Sequence, residues 1–443
     1  MTNSCDEIDW SKYLESIRST QSILQEGRVV KVTGIVAEAN GPGLGIGSLC
    51  SIRNIEGQDI DAEVVGFRDN RVIVMPLGEL RGVKPGSRII YKTNKATVPV
   101  GDGYLGRVID GLGRPLDGKG LVTTDTEYPV YGKPLNPLKR DIIGDVLDVG
   151  IRSINALTTV GKGQRMAIMA GSGVGKSVLM GMIARNTSAD VIIIGLIGER
   201  GREVREFVEK NLGDEGLKKS IVVAATSDMP ALVRIRGTHI ATALAEYFRD
   251  KGLDVILILD SITRYAMSLR EVGLASGEPP SAKGYTPSVF NQLPKILERA
   301  GTVEKKGSIT GIYTVLVEGD DMNEPIADAV RSITDGHIVL SRALSHKGHY
   351  PSVDVLASIS RVMNDIVGKD HNDIAREFIR ILSTYKDAED FINIGAYADG
   401  SDPEIDHAKN KIHGINSFLQ QGVSESVSFD ESLGRLMTLI SDN

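Results

Sequence analysis

RMAIMAGSGVGKSVLMGMIAR, residues 165–185, reads as a strand, a glycine loop and a helix in direct succession. Gly171, Gly173 and Gly175 let the backbone curl so that successive N–H groups point at one anion. The helix that follows presents its positive dipole end to the same point. Lys176 adds a charge for β- and γ-phosphates, and Ser177 offers a hydroxyl to Mg²⁺. The stretch Gly171, Ser172, Gly173, Val174, Gly175, Lys176, Ser177 and Val178 is thus expected to bind a nucleotide, ATP with Mg²⁺. The usual form of this loop begins with glycine, a place held here by Ala170.

Two further apolar runs end in acids. VIIIGLIGERGREVREFVEK (191–210) passes from a buried-strand pattern into Glu199 and Arg200, then into a helix carrying Val204, Phe207 and Val208. LDVILILD (253–260) ends on Asp260. Open parallel sheets bind ligands beyond the carboxyl ends of their strands, so the loop, Glu199 and Asp260 are expected to meet at one sheet edge. Asp260 suits the hydration shell of a Mg²⁺ ion together with Ser177. Glu199 suits a carboxylate that orients and polarises an attacking water, with Arg200 available to phosphate or to a neighbouring acid.

The rest of the chain frames this core. Its 443 residues carry a net charge of −7 and 5% aromatics, which gives no global attraction to nucleic acid or anionic membrane and little base-stacking surface. Cys5 and Cys50 are the only cysteines, so there is no disulfide framework and no CxxC zinc site. No signal sequence or membrane-length apolar run is evident, and a cytoplasmic location is expected. Residues 1–22 form an N-terminal segment in which Trp10, Tyr13, Leu14 and Ile17 share helical spacing, a candidate docking helix. Residues 23–95 hold short β-rich runs separated by turns such as KPGS, the pattern of a small barrel. Residues 96–365 alternate strands and helices as a parallel α/β sheet does, and 366–443 read as helical. His346 and His349 lack zinc spacing and are expected to be solvent-exposed loop histidines.

Longer strings narrow the reading. AGSGVGKS (170–177), GERGREV (198–204), DSITRYAMSLREVGLASGEPPSAKGYTPSVF (260–290), GDDMNEPIADAVRSITDGHIVLSR (319–342) and YPSVDVLASISRVM (350–363) resemble the catalytic-type subunits of the rotary ATPase superfamily. Within that superfamily the chain is most similar to the type III export ATPases, the flagellar kind above all. The resemblance implies a RecA-like P-loop core with an N-terminal β-barrel and a C-terminal helical domain. It implies an ATP-hydrolysing motor for protein export. The virulence-type injectisome ATPase is the near alternative, and a ring-shaped RNA translocase the distant one.

By resemblance, Glu199 is the catalytic carboxylate, and non-catalytic relatives carry glutamine in its place. Arg361 is the arginine finger that reaches a neighbouring subunit's site, and Tyr350 packs against adenine. Arg264 is an open case. Because Glu199 and Arg361 sit on one chain, each copy can serve both sides of an interface, which implies a homo-oligomeric ring, hexameric by resemblance. The implied partners are a stator-like regulator on residues 1–22, a central coiled-coil stalk at EGDDMNEPIAD (318–328), an export gate and substrate–chaperone complexes. Nucleic acid is not among them. Membrane association, at the cytoplasmic face of the inner membrane, comes only through partners.

Overall fold

Residues 25–41, 44–94 and 96–441 are described by a computed structural model. The candidate helix around Trp10, the 1–22 segment and Cys5 lie outside the described residues. The chain divides into two units, 1–96 and 97–443.

In the first unit, strands β1 (Glu26–Thr33), β2 (Val36–Asn40), β3 (Leu49–Arg53), β4 (Asp59–Arg68), β5 (Arg71–Pro76) and β6 (Arg88–Thr93) close a barrel in the order β1-β2-β5-β4-β3-β6. Alternating Val, Ile and Ala side chains such as Val29, Ala37, Ile52, Val64 and Val74 fill its interior. Cys50 is part of that filling, and burial pushes its thiol up to about 12, so it is an inert core residue.

The second unit is built on a sheet whose central strands are apolar along their whole length. β11 (Val191–Ile197) and β12 (Ser220–Ala225) are buried at every position. The crossover helices of a parallel sheet cover both of its faces, and strands so covered need a continuous apolar run. Strand order is β17-β16-β10-β15-β13-β11-β12-β8, with β8 (Arg107–Asp110), β10 (Arg165–Ala170), β13 (Asp254–Asp260), β15 (Ser308–Leu316), β16 (Gly336–Leu340) and β17 (Val353–Ser360). Every neighbouring pair on this path is parallel except β16 and β17. The edge strand β8 lies inside the glycine-rich stretch 101–118.

The expected helix after Glu199 forms in two pieces, Gly201–Glu206 and a π-helical turn Phe207–Leu212. Phe207 is buried, with Val204 and Val208 packed against the same core. Helices Lys369–Asn393, Pro403–Leu419 and Phe429–Ser441 supply the helical tail, and their Phe378, Phe418 and Leu436 join one continuous core with Ile168, Leu179 and Ile194 of the sheet layer.

Helix Ala231–Asp250 is buried along nearly its whole length and carries Glu246 inside. The Glu246 carboxylate accepts from Arg299 Nε at 2.8 Å and Nη2 at 2.7 Å, while Arg299 Nη1 donates to the Val130 carbonyl at 2.8 Å. Arg299 is completely buried, so its charge depends on that one carboxylate. Glu246→Ala is expected to lose about 3–5 kcal/mol in urea denaturation, because it strands the guanidinium. Replacing both partners, as Glu246→Leu with Arg299→Met, should recover most of that loss.

Candidate active site

The three elements singled out in the sequence do meet at one edge. β10, β13 and β11 run parallel, with β15 between β10 and β13, and deliver the glycine loop, Asp260 and Glu199 from their carboxyl ends. Gly173 and Gly175 have φ of 78° and 91°, the left-handed region that a side chain resists. Gly175 ends the loop and starts helix Lys176–Asn186 with no side-chain cap, leaving the first N–H groups of the helix for an anion. Two bonds brace the loop: Ser352 Oγ donates to the Val174 carbonyl at 2.6 Å, and Val317 N–H to the Ala170 carbonyl at 3.0 Å.

The resulting cleft encloses about 640 Å³ and is lined by the loop together with Glu199, Arg200, Glu203, Arg264, Glu318 and Arg342. The Lys176 ammonium bonds to the Asp260 carboxylate and lies 3.8 Å from Glu199 Oε1. Asp260 is buried and also accepts from Thr314 Oγ1 at 2.6 Å. Burial, and then the negative charge of Asp260, push the Glu199 carboxyl up to about 7 against the opposing pull of Lys176. Glu203 is held below its ordinary value, chiefly by a hydrogen bond from Glu199, so the proton of the pair resides on Glu199.

The remaining sequence candidates divide into two groups. The side chain of Arg200 is 83% exposed at the cleft rim and 3.9 Å from Glu203. Arg264 folds over Gly198, and its Nε is buried without a hydrogen-bond partner, which fits an anion entering the cleft. Tyr350 is 46% exposed, not a core residue, and its ring would lie 3.7 Å from a methyl placed on Gly175. An exposed ring beside the phosphate loop offers a stacking face for a base.

Arg361 is elsewhere. It follows β17, which runs antiparallel to β16, and Ser360 pairs with Gly336 at the start of β16. The phosphate loop leaves β10 at Ala170, level with Leu340 at the other end of β16. The two ends are separated by roughly 13 Å of strand. Arg361 is exposed there, with its backbone N–H on the Asp335 carbonyl.

One expectation is corrected. His346 is exposed, but His349 is buried, tucked under the turn before Tyr350 by its backbone bond to the Leu344 carbonyl. Among the described residues no group of His, Cys, Asp and Glu forms a metal cluster. Sequence reasoning missed Glu203 and Arg342. Glu203 stands in the first turn of the helix that begins just after Glu199, a position that could have flagged it; nothing local marks Arg342.

Residues 150–360 match the ATP synthase alpha/beta family, nucleotide-binding domain, and residues 29–92 match that family's beta-barrel domain. Residues 367–438 match the T3SS EscN ATPase C-terminal domain. A flagellum-specific ATP synthase of Bacillus subtilis is 54% identical over 432 residues, covering 96% of this chain and 98% of the relative. The chain belongs to the ATP synthase alpha/beta family. Within the family it falls among the flagellar and type III secretion ATPases, and it is an ATP-hydrolysing enzyme. A type 3 secretion system ATPase of Xanthomonas euvesicatoria is 46% identical, covering 94% of each chain. The assembled ATPase EscN of the enteropathogenic E. coli type III secretion system superposes with a TM-score of 0.89 at 44% identity, covering 94% of this chain and all of that one. The same protein with its central stalk EscO gives 0.87 at 43% identity and the same coverage. Among the described residues no helix is long and apolar enough to cross a membrane.

The raised Glu199 carboxyl has a stability consequence. Below pH 4.5 the group is protonated folded and unfolded, so it contributes nothing. Between about 4.5 and 7 the unfolded chain releases the proton that the fold retains, and a penalty on the fold accumulates, complete above 7. Glu199→Gln should therefore be more stable than wild type at pH 8, by on the order of 2 kcal/mol, with the difference closing near pH 4. Urea denaturation across that range measures it.

Proposed function

We propose that the chain is the motor of a flagellar-type protein export apparatus, and that its catalytic site is completed by an arginine from a neighbouring copy. The observation that carries the second part is the placement of Glu199 and Arg361 at opposite ends of one sheet in the same chain. No side-chain rotation spans that separation, so Arg361 can act only on another copy's cleft. A chain with a site at one end and a finger at the other is built for head-to-tail association, which closes into a ring. A hexamer is the ring we favour, on family resemblance; the relative EscN is described as assembled.

In the proposed site the loop N–H groups and Lys176 hold the phosphates, and Tyr350 stacks on the adenine. Ser177 and Asp260 would hold Mg²⁺, a donor set of one hydroxyl and one carboxylate that suits an ion retaining several waters. That ion supplies charge neutralisation on the β- and γ-phosphate oxygens. Glu199, once ionised, accepts a hydrogen bond from the attacking water and aligns it. The nearby ammonium of Lys176 favours the ionised form, while burial keeps the carboxylate poorly solvated and basic. Arg200 and the neighbour's Arg361 stabilise charge developing on the transferred phosphoryl group, a role worth roughly 10³–10⁵ in rate.

The flagellar assignment is supported by four flagellar relatives at 48–54% identity against 46% for two secretion ATPases, although flagellar relatives also extend down to 43%. A central coiled-coil stalk at residues 318–328 is proposed on family resemblance; the similar protein EscN is described in complex with a central stalk, EscO. A regulator on residues 1–22, an export gate, substrate–chaperone complexes and a post at the cytoplasmic face of the inner membrane complete the reading.

A complementation experiment tests it. Glu199→Gln and Arg361→Ala should each bind ATP yet hydrolyse it at least about 10³-fold more slowly. Mixed in equal amounts, they should regain roughly a quarter of the wild-type rate, because one interface in four pairs an intact glutamate with an intact arginine. A mixture as inactive as its parts would rule out the finger in trans.

A further inference from the structure

The phosphate loop has a cover that the proposed mechanism does not use. Two segments distant in sequence meet on its first glycine: the turn after β15, residues 318–324, and Arg342, which begins the short helix Arg342–His346 after β16. Arg342 Nε lies 3.4 Å from Asp320 Oδ2. A methyl placed on Gly171 would sit 2.8 Å from Arg342 Nη2 and 2.9 Å from Asp320 Oδ1, so the ion pair rests directly on the loop.

The turn that presents Asp320 is strained. Gly319 and Asp320 have φ of 64° and 59°, and a left-handed conformation at a residue other than glycine persists only where its surroundings hold it. The base of the turn is fixed by the Val317–Ala170 backbone bond. Beyond it, the carboxylate–guanidinium contact is what ties Asp320 to the cleft.

Both partners are about half exposed, 43% for Arg342 and 51% for Asp320, and an ion pair so wetted is weak. A phosphate oxygen is a stronger acceptor for a guanidinium fork than a single solvated carboxylate oxygen. We propose that Arg342 is a phosphate-binding residue of the cleft for which Asp320 competes, so that nucleotide binding frees Asp320 from the cleft while Asp321, paired with Lys283, and the Glu324 cap still hold the rest of the turn. The inference rests on the reading of the cleft as an ATP site. Because coupling is reciprocal, a cationic group that draws Asp320 away from Arg342 tightens nucleotide binding by the same factor by which nucleotide favours that group.

The test is a double-mutant cycle on equilibrium binding of a non-hydrolysable β,γ-imido ATP analogue to the full chain. Arg342→Gln should weaken binding about tenfold or more, the loss of a charge-assisted contact. Asp320→Asn should tighten it about two- to fivefold, a gain limited by the strength of the exposed pair it removes. Asp320→Gly, which also relieves the left-handed strain, should tighten it to the same degree. In the Arg342→Gln background either Asp320 substitution should leave affinity unchanged. Affinity unaltered in Arg342→Gln, weakened in Asp320→Asn, or shifted equally by Asp320→Asn with and without Arg342, overturns the proposal. Lys176→Ala separates the two readings: if wild type binds the analogue and this variant does not, the nucleotide site stands whatever Arg342 does. Circular dichroism melting of each variant checks that the fold is retained.

Discussion

One ammonium group, that of Lys176, sits between the carboxylates of Asp260 and Glu199 at the carboxyl edge of a parallel sheet. The charge of Asp260 in this partly dry cleft disfavours an anion at Glu199, and the cation opposes that effect. Asp260 bonds to the ammonium, while burial and the Asp260 charge hold the Glu199 carboxyl above its ordinary value. This triangle depends on strand order: β10, β13 and β11 must all end at one edge, with β15 contributing Thr314 between them. The apolar runs that bury the sheet on both faces are therefore also what aligns the chemistry.

The cleft is arranged to receive negative charge. Loop N–H groups lack intrahelical partners, Arg264 carries an orphaned Nε, and Arg342 is engaged by a half-exposed carboxylate. Each of these groups would improve its bonding with a phosphate oxygen. A protonated Glu199 suits the cleft before phosphate enters, since it limits the charge buried beside Asp260. The machinery is thus distributed across the sheet edge rather than concentrated in the glycine loop.

Much of the fold was legible in the sequence because its signals are local. Left-handed glycines, apolar runs bounded by turns and the alternation of strand and helix patterns identified the barrel, the parallel sheet and the helical tail. The exceptions were also local. β8 is only four residues long inside a glycine-rich stretch, too short to show a period. The π-helical turn at Phe207–Leu212 keeps an apolar spacing that an α-helix would also satisfy. His349 has polar neighbours in sequence and gave no sign that the following turn would bury it.

By itself, the sequence determined the identity of the phosphate loop, the acids that close two strands and the family to which the chain belongs. These are carried by residue types at short spacing, which backbone geometry constrains directly. Only the tertiary structure decided that Arg361 lies at the far end of the sheet from its own cleft, since that depends on β17 running antiparallel to β16. It likewise decided that Asp320 and Arg342 meet over Gly171, and that Glu199 holds its proton more tightly than an ordinary carboxylate. Distances between strand ends and the solvent left around a charge arise from packing across the whole sheet, and no local window of sequence contains them.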